Sequence, residues 1–136
     1  MDVHDKKTRS YNMSRIKNKD TKPELIFRKI CHQMGLRYRL NKKIFNTRPD
    51  LIFKKYKTVI FVNGCFWHKH NCKHGNVIPK TNTEFWENKR FSNVERDNKN
   101  YLDIFQNNWK YYVIWECELK DQIMTKNKVK IFFNLI

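Results

Sequence analysis

VIFVNGCFWHKHNC, residues 59–72, opens as an apolar run and closes as a cluster of metal-ligating side chains. Val59, Ile60, Phe61 and Val62 are β-branched or aromatic, the composition of a buried strand. Gly64 breaks the run. Two cysteines, two histidines, a Phe and a Trp then share the eight residues 65–72. Cys65, His68, His70 and Cys72 offer thiolate and imidazole donors, the types that suit zinc. Phe66 and Trp67 stand between them, on a loop with no evident core to fill.

Working outward, Leu51–Phe53, a basic turn at Lys54–Lys57 and Thr58–Val62 read as a β-hairpin, entered through Pro49 and Asp50. Upstream, Leu36, Tyr38 and Leu40 alternate with Arg37 and Arg39, which predicts a strand with one wet, basic face. Thr21 and Glu24 have capping-box spacing and Pro23 lies in the first turn, so a helix starts there. Leu25, Ile26, Ile30 and Met34 mark its apolar face, Gly35 stops it, and Cys31 reads as a core residue. Downstream, 76–83 is loop, and Thr83 caps a short helix carrying Phe85 and Trp86. A longer helix follows over 93–107, with Val94, Tyr101, Leu102 and Phe105 inward. Lys110–Trp115 reads as a second buried strand that delivers Cys117, and 122–136 as a lightly packed helix.

The chain has 136 residues, enough for one domain with its own core. Its 29 Lys and Arg against 13 acidic residues leave a formal charge of +16, spread along the whole length. A polyanion that neutralises this self-repulsion is the expected partner, and nucleic acid is the first candidate. A membrane surface is the rival, but neither a basic amphipathic segment nor an apolar 18-mer stands out. The N-terminus does not read as a signal peptide, so an intracellular location is expected, and there the four cysteines favour metal binding over disulfides. Residues 1–20 form a basic segment in which Arg9, Arg15, Lys17 and Lys19 can follow a phosphate backbone; 21–136 form the single folded domain.

Three constellations carry chemistry. With Cys117 added to the local four, five candidate zinc ligands compete for four tetrahedral positions, and spacing alone does not choose between His68 and His70. Asp50 is the only carboxylate between Glu24 and Glu84. At a strand start facing the cluster it reads either as a magnesium ligand or as a turn-initiating Asp beside proline. Phosphodiester hydrolysis needs a metal and a group to take the proton of water, and Asp50 with a free histidine supplies both. Phe66, Trp67 and Trp86 read either as a wedge between DNA base steps or as cover for the metal loop.

The run VIFVNGCFWHKHNC, with RPD upstream and TEFW, NVERD and VIWEC downstream, resembles the very-short-patch-repair (Vsr-type) mismatch endonucleases. The N-terminal DVHDKKTRSYNMSRI and DTKPE resemble that family too, so the likeness runs over about residues 2–120. It implies an α/β, restriction-endonuclease-like core, a mixed central sheet flanked by helices, with a structural zinc site. It implies a magnesium-dependent, strand-specific endonuclease that nicks 5′ of the thymine in T:G mismatches left by 5-methylcytosine deamination. Carried over residue by residue, Asp50 and the main-chain carbonyl of Val62 hold magnesium and His68 acts on the attacking water. Glu24 and Asp97 are further acidic residues of the site. Cys65, His70, Cys72 and Cys117 hold zinc, which frees His68, and Phe66, Trp67 and Trp86 form the DNA wedge. Asn63 departs from the pattern, since some members carry a second active-site histidine there, and an amide cannot exchange protons near neutral pH.

The implied partner is double-stranded DNA with a T:G mismatch, with other mismatch-repair proteins as further partners and the chain acting as a monomer. The implied setting is the bacterial cytoplasm and nucleoid. Two rival readings use the same residues: a restriction-type enzyme that cuts both strands, and a non-catalytic zinc-dependent DNA-binding module.

Overall fold

The computed structural model describes residues 20–40 and 42–135; the basic N-terminal segment up to residue 19 lies outside the described residues. Helix α1 (Lys22–Gln33) leads into strand β1 (Arg39–Leu40), then β2 (Leu51–Phe53) and β3 (Thr58–Asn63). Helix α2 (Thr83–Gln106), β4 (Lys110–Trp115) and α3 (Gln122–Phe132) complete the order. The sheet runs β1-β2-β3-β4. β1, β2 and β3 pair antiparallel, while β3 and β4 pair parallel from Thr58↔Lys110 to Asn63↔Trp115. A parallel pair needs a crossover, and α2 supplies it.

Alternation along β2 and β3 sends side chains to opposite faces and so builds two cores. Leu51, Phe53, Ile60 and Val62 face α1 and α3, where Phe27, Ile30, Val129 and Phe133 meet them. Ile52, Val59 and Phe61 face the other way, against Ile104 of α2. The result is a mixed sheet between helices on both faces, as the family resemblance implies.

Several local expectations are corrected. The strand expected from Leu36 is only two residues long, and the two helices expected between 83 and 107 are one continuous helix. That helix is capped by Asn82 in a left-handed conformation, while the Thr83 hydroxyl donates to the Pro79 carbonyl at 2.6 Å. Leu102 and Phe105 point to solvent, and Ile104 takes the inward place. On α1, Leu25 is exposed and Phe27 is fully buried. The Glu24 amide donates to the Thr21 hydroxyl as a capping box requires, but the Glu24 carboxylate accepts from the Asp20 amide instead of completing the box. The C-terminal helix is shorter than expected and more tightly packed, with Val129 and Phe133 in the core. Cys31 is buried beside them, and burial pushes its thiol up to about 12, which suits an inert core residue.

Candidate active site and metal centre

The start of β2 lies beside the end of β3, because the two strands run antiparallel with Leu51 opposite Ile60. Asp50, one residue before β2, is thereby held at the end of β3. Its amide donates to the Ile60 carbonyl at 3.1 Å, and its carboxylate accepts from the Val62 amide at 2.6 Å. Glu24, from the first turn of α1, is buried next to it. Burial pushes the Asp50 carboxyl up to about 7; the Val62 N–H opposes this, and the neighbouring Glu24 carboxylate adds to it. The Arg28 guanidinium, paired with Glu24 at 3.1 Å, pulls the Asp50 carboxyl down, but by less than burial raises it, and a carboxyl so perturbed in a cleft marks a functional site.

His68 arrives from the loop after β3, and Asp97 from the middle of α2. The His68 Nδ1 lies 2.5 Å from the Asp97 carboxylate. A carboxylate only accepts, so the Nδ1 carries the hydrogen and the Nε2 is left as a proton acceptor. Glu24, Asp50, Asn63, His68 and Asp97 all line one cleft of about 970 Å³, with Lys43, Arg48, Lys89 and Arg96 around it. Asn63 is buried at the end of β3 and donates from its Nδ2 to the Tyr101 hydroxyl at 3.2 Å.

Position separates the two histidines of the loop. Cys65, His70, Cys72 and Cys117 each bring one donor atom, all within 4.8 Å of one another, and His68 stands outside the set. Tetrahedral bonds of about 2.0–2.3 Å fit a cluster of this size and these donor types. Peptide N–H groups already point at the sulfurs: Cys117 donates to the Cys65 Sγ and Gly75 to the Cys72 Sγ, both at 3.4 Å. Those bonds favour thiolates. Among the metal-free thiols, Cys72 is lowered mainly by the Gly75 N–H, whereas burial raises Cys117 and pushes Cys65 up to about 12. A bound ion must therefore displace protons, which ties its affinity to pH. The turn has room only for glycine at 75, since a Cβ there would lie 1.7 Å from the His70 carbonyl oxygen.

Arg90 of α2 is the residue that sequence reasoning missed. It is buried to 1% exposure. Its Nε donates to the Phe66 carbonyl at 2.7 Å, its Nη1 to the Val77 carbonyl at 2.8 Å, and its Nη2 to the Gly75 carbonyl. Glu87 balances its charge at 2.8 Å, and the guanidinium lies 4.4 Å from the Phe66 ring centre. One side chain thus clamps both ends of the metal loop to α2. A basic residue in a polar helix reads as solvated, so no signal in the sequence marks it. The aromatics form a connected row beside this clamp, with Phe66–Trp67 at 5.2 Å and Trp67–Trp86 at 5.5 Å. The Asn93 amide holds the Trp67 carbonyl at 2.9 Å.

A family model described as DNA mismatch endonuclease Vsr matches residues 1–74, more than half of the chain. The chain belongs to the Vsr DNA mismatch endonuclease family. It is 43% identical over 128 residues to the type II nicking enzyme V.NmeAIP of Neisseria meningitidis serogroup A, covering 94% of this chain and 91% of that protein. It is 41% identical over 119 residues to the DNA mismatch endonuclease Vsr of Escherichia coli K12, covering 88% of this chain and 76% of that one. The solved catalytic domain of the homing endonuclease I-Bth0305I superposes with a TM-score of 0.60 over 84% of this chain and 95% of that domain, at 19% identity, which is a likeness of fold. This Vsr-family chain is accordingly a nuclease built on an endonuclease core. Among its described residues no helix is long and apolar enough to cross a membrane.

Proposed function

We propose that this Vsr-family nuclease is a magnesium-dependent nickase that cuts one strand of duplex DNA 5′ of the thymine in a T:G mismatch. The observation that carries the reading is the convergence in one cleft of the Asp50–Glu24 carboxylates and the His68–Asp97 pair, with an aromatic row on its rim. A phosphodiester is an anion that must be approached by a nucleophile, so hydrolysis asks for positive charge and a proton acceptor at the same place. Asp50 and Glu24, with the Val62 main-chain carbonyl, are the groups that would hold magnesium. When bound, the ion supplies charge neutralisation at the phosphate and a more acidic water. His68 receives the proton of the attacking water on its Nε2, while Asp97 holds the ring and stabilises the imidazolium that results. Cys65, His70, Cys72 and Cys117 would hold zinc, four protein donors of the types a structural site uses.

Selectivity is assigned to Phe66, Trp67 and Trp86. A T:G wobble unstacks more readily than a Watson–Crick pair, so inserting an aromatic wedge costs less there. The charge of +16 supports binding to the DNA backbone, the chain is taken to act as a monomer, and the names of the relatives, a nicking enzyme and a mismatch endonuclease, support mismatch nicking as the setting. The residues 1–20 are assigned to DNA contact on charge alone. The test is a panel of mismatched and matched duplexes in Mg²⁺, with each strand labelled at its end. A single cut 5′ of thymine in T:G duplexes is the expected result. Double-strand cleavage of matched DNA, or binding without cleavage, would overturn it.

A further inference from the structure

Trp115 ends β4 in register with Asn63 at the end of β3, and its indole meets two histidines of the loop that follows β3. Its ring stacks on His70 with centroids 4.1 Å apart and planes 12° from parallel. It also meets the His68 ring at 6.4 Å and 70°. The His70 Nδ1 is turned to the metal cluster, 3.5 Å from the Cys117 Sγ, and Cys117 follows Trp115 by two residues. Trp115 is thus fastened to the cluster twice, by its ring through His70 and by its chain through Cys117. Its own amide is held by the Glu118 carboxylate at 3.3 Å.

His68 has no other imidazole beside it among the residues that line the cleft, because position 63 is an asparagine whose amide is committed to Tyr101. The bond from its Nδ1 to Asp97 fixes one ring atom. The Trp115 indole, which meets the imidazole in a T-shaped contact, walls in its swing about that atom. We propose that Trp115 is a positioning residue for His68, carrying the rigidity of the Cys65/His70/Cys72/Cys117 cluster to the imidazole that faces the cleft. The inference rests on the catalytic role given to His68 above. Misplacing a catalytic group by about an ångström costs on the order of a hundredfold in rate, so loss of the wall is expected to show in turnover and not in binding.

The experiment compares wild type with Trp115→Leu and Trp115→Phe by four measurements: zinc per chain, affinity for a T:G duplex, single-turnover nicking in Mg²⁺, and the low-field proton NMR signal of the His68 N–H bonded to Asp97. A His68→Gln variant assigns that signal by removing it. Trp115→Leu is expected to keep its zinc and to bind DNA within about threefold of wild type. It should lose the low-field signal to exchange and nick at least about tenfold more slowly. Trp115→Phe keeps a flat surface and should retain much of both. A sharp, unshifted His68 signal in Trp115→Leu overturns the proposal, as does loss of zinc in step with every loss of signal. If Trp115→Leu fails to fold, Trp115→Phe decides: zinc retained with a broadened signal supports the wall, and an unchanged signal overturns it. Absence of the signal from wild type removes the premise. Should the wild type not nick at all, the functional reading fails, while the proton signal still reports on the positioning.

Discussion

Asp50→Asn should make the magnesium-free protein more stable at neutral pH while abolishing its cleavage. Burial lifts the Asp50 carboxyl from 3.8 to about 7 in the fold. A raised carboxyl means that the unfolded chain releases this proton first as pH rises. The penalty is absent below about pH 4, where both states hold the proton, and it grows until about pH 7. Each pH unit between the two values corresponds to about 1.36 kcal/mol, so ionising Asp50 in the fold costs at most about 4 kcal/mol. Asparagine keeps an oxygen for the Val62 amide and presents N–H donors in place of the Asp50 carboxyl proton.

The expected gain at pH 7.5 is therefore on the order of 1–3 kcal/mol, or about 3 °C in Tm per kcal/mol for a chain of this size. Urea melts should be run in magnesium-free buffer without chelator, which would strip the thiolate cluster. In saturating Mg²⁺ the advantage of the variant should shrink or vanish. A ligand at a hundred times its Kd adds about 2.7 kcal/mol to the wild type, and the variant has lost part of the site. A variant no more stable than wild type at pH 7.5, or an advantage that does not shrink at pH 5, would refute the burial argument. A variant that still nicks would refute the role of Asp50.

Cys117→Ser should lose tightly held zinc and melt well below wild type, because metal binding and folding are linked; metal analysis together with thermal melts checks both. His68→Ala should keep its zinc and slow nicking by about 10²–10⁴-fold, whereas His70→Ala should lose the metal, so one metal assay separates the two histidines. Arg90→Met takes the shared donor from the carbonyls of Phe66, Gly75 and Val77, of which the Gly75 bond is buried, and leaves Glu87 without this partner. It should cost about 3 kcal/mol or more in urea melts. Trp67→Ala should lower the rate on T:G duplexes and shrink the T:G over T:A preference together, and 2-aminopurine beside the mismatch should stay quenched on binding. A wild-type rate with that variant would leave the aromatics as mere cover for the loop.

By itself the chain declares what depends on neighbours in sequence. The alternation of β2 and β3 and the Gly64 break are local patterns, and four zinc-type donors fall within eight residues, so strand, turn and metal loop are legible before any folding is considered. The capped start of α1 at Thr21 is legible for the same reason. Which donors meet was not. Only the parallel pairing of β3 with β4 carries Cys117 to Cys65, and only the folded turn after β3, with the His70 amide on the Cys65 carbonyl, brings His70 and not His68 to the thiols. Only the antiparallel register of β2 seats the Asp50 carboxylate on the Val62 amide.

The clearest failure of local reasoning is α2. Its inward row runs through Arg90, Asn93, Asp97, Tyr101 and Ile104 at spacings of three and four, and most of that row is polar. An apolar-period reading therefore places Leu102 and Phe105 inside beside Tyr101, and of these three only Tyr101 lies inward. The physical reason is that hydrophobic periodicity marks only faces stabilised by leaving water. A face that meets a site is stabilised by hydrogen bonds and ion pairs, whose partners lie dozens of residues away and are supplied by the tertiary fold alone.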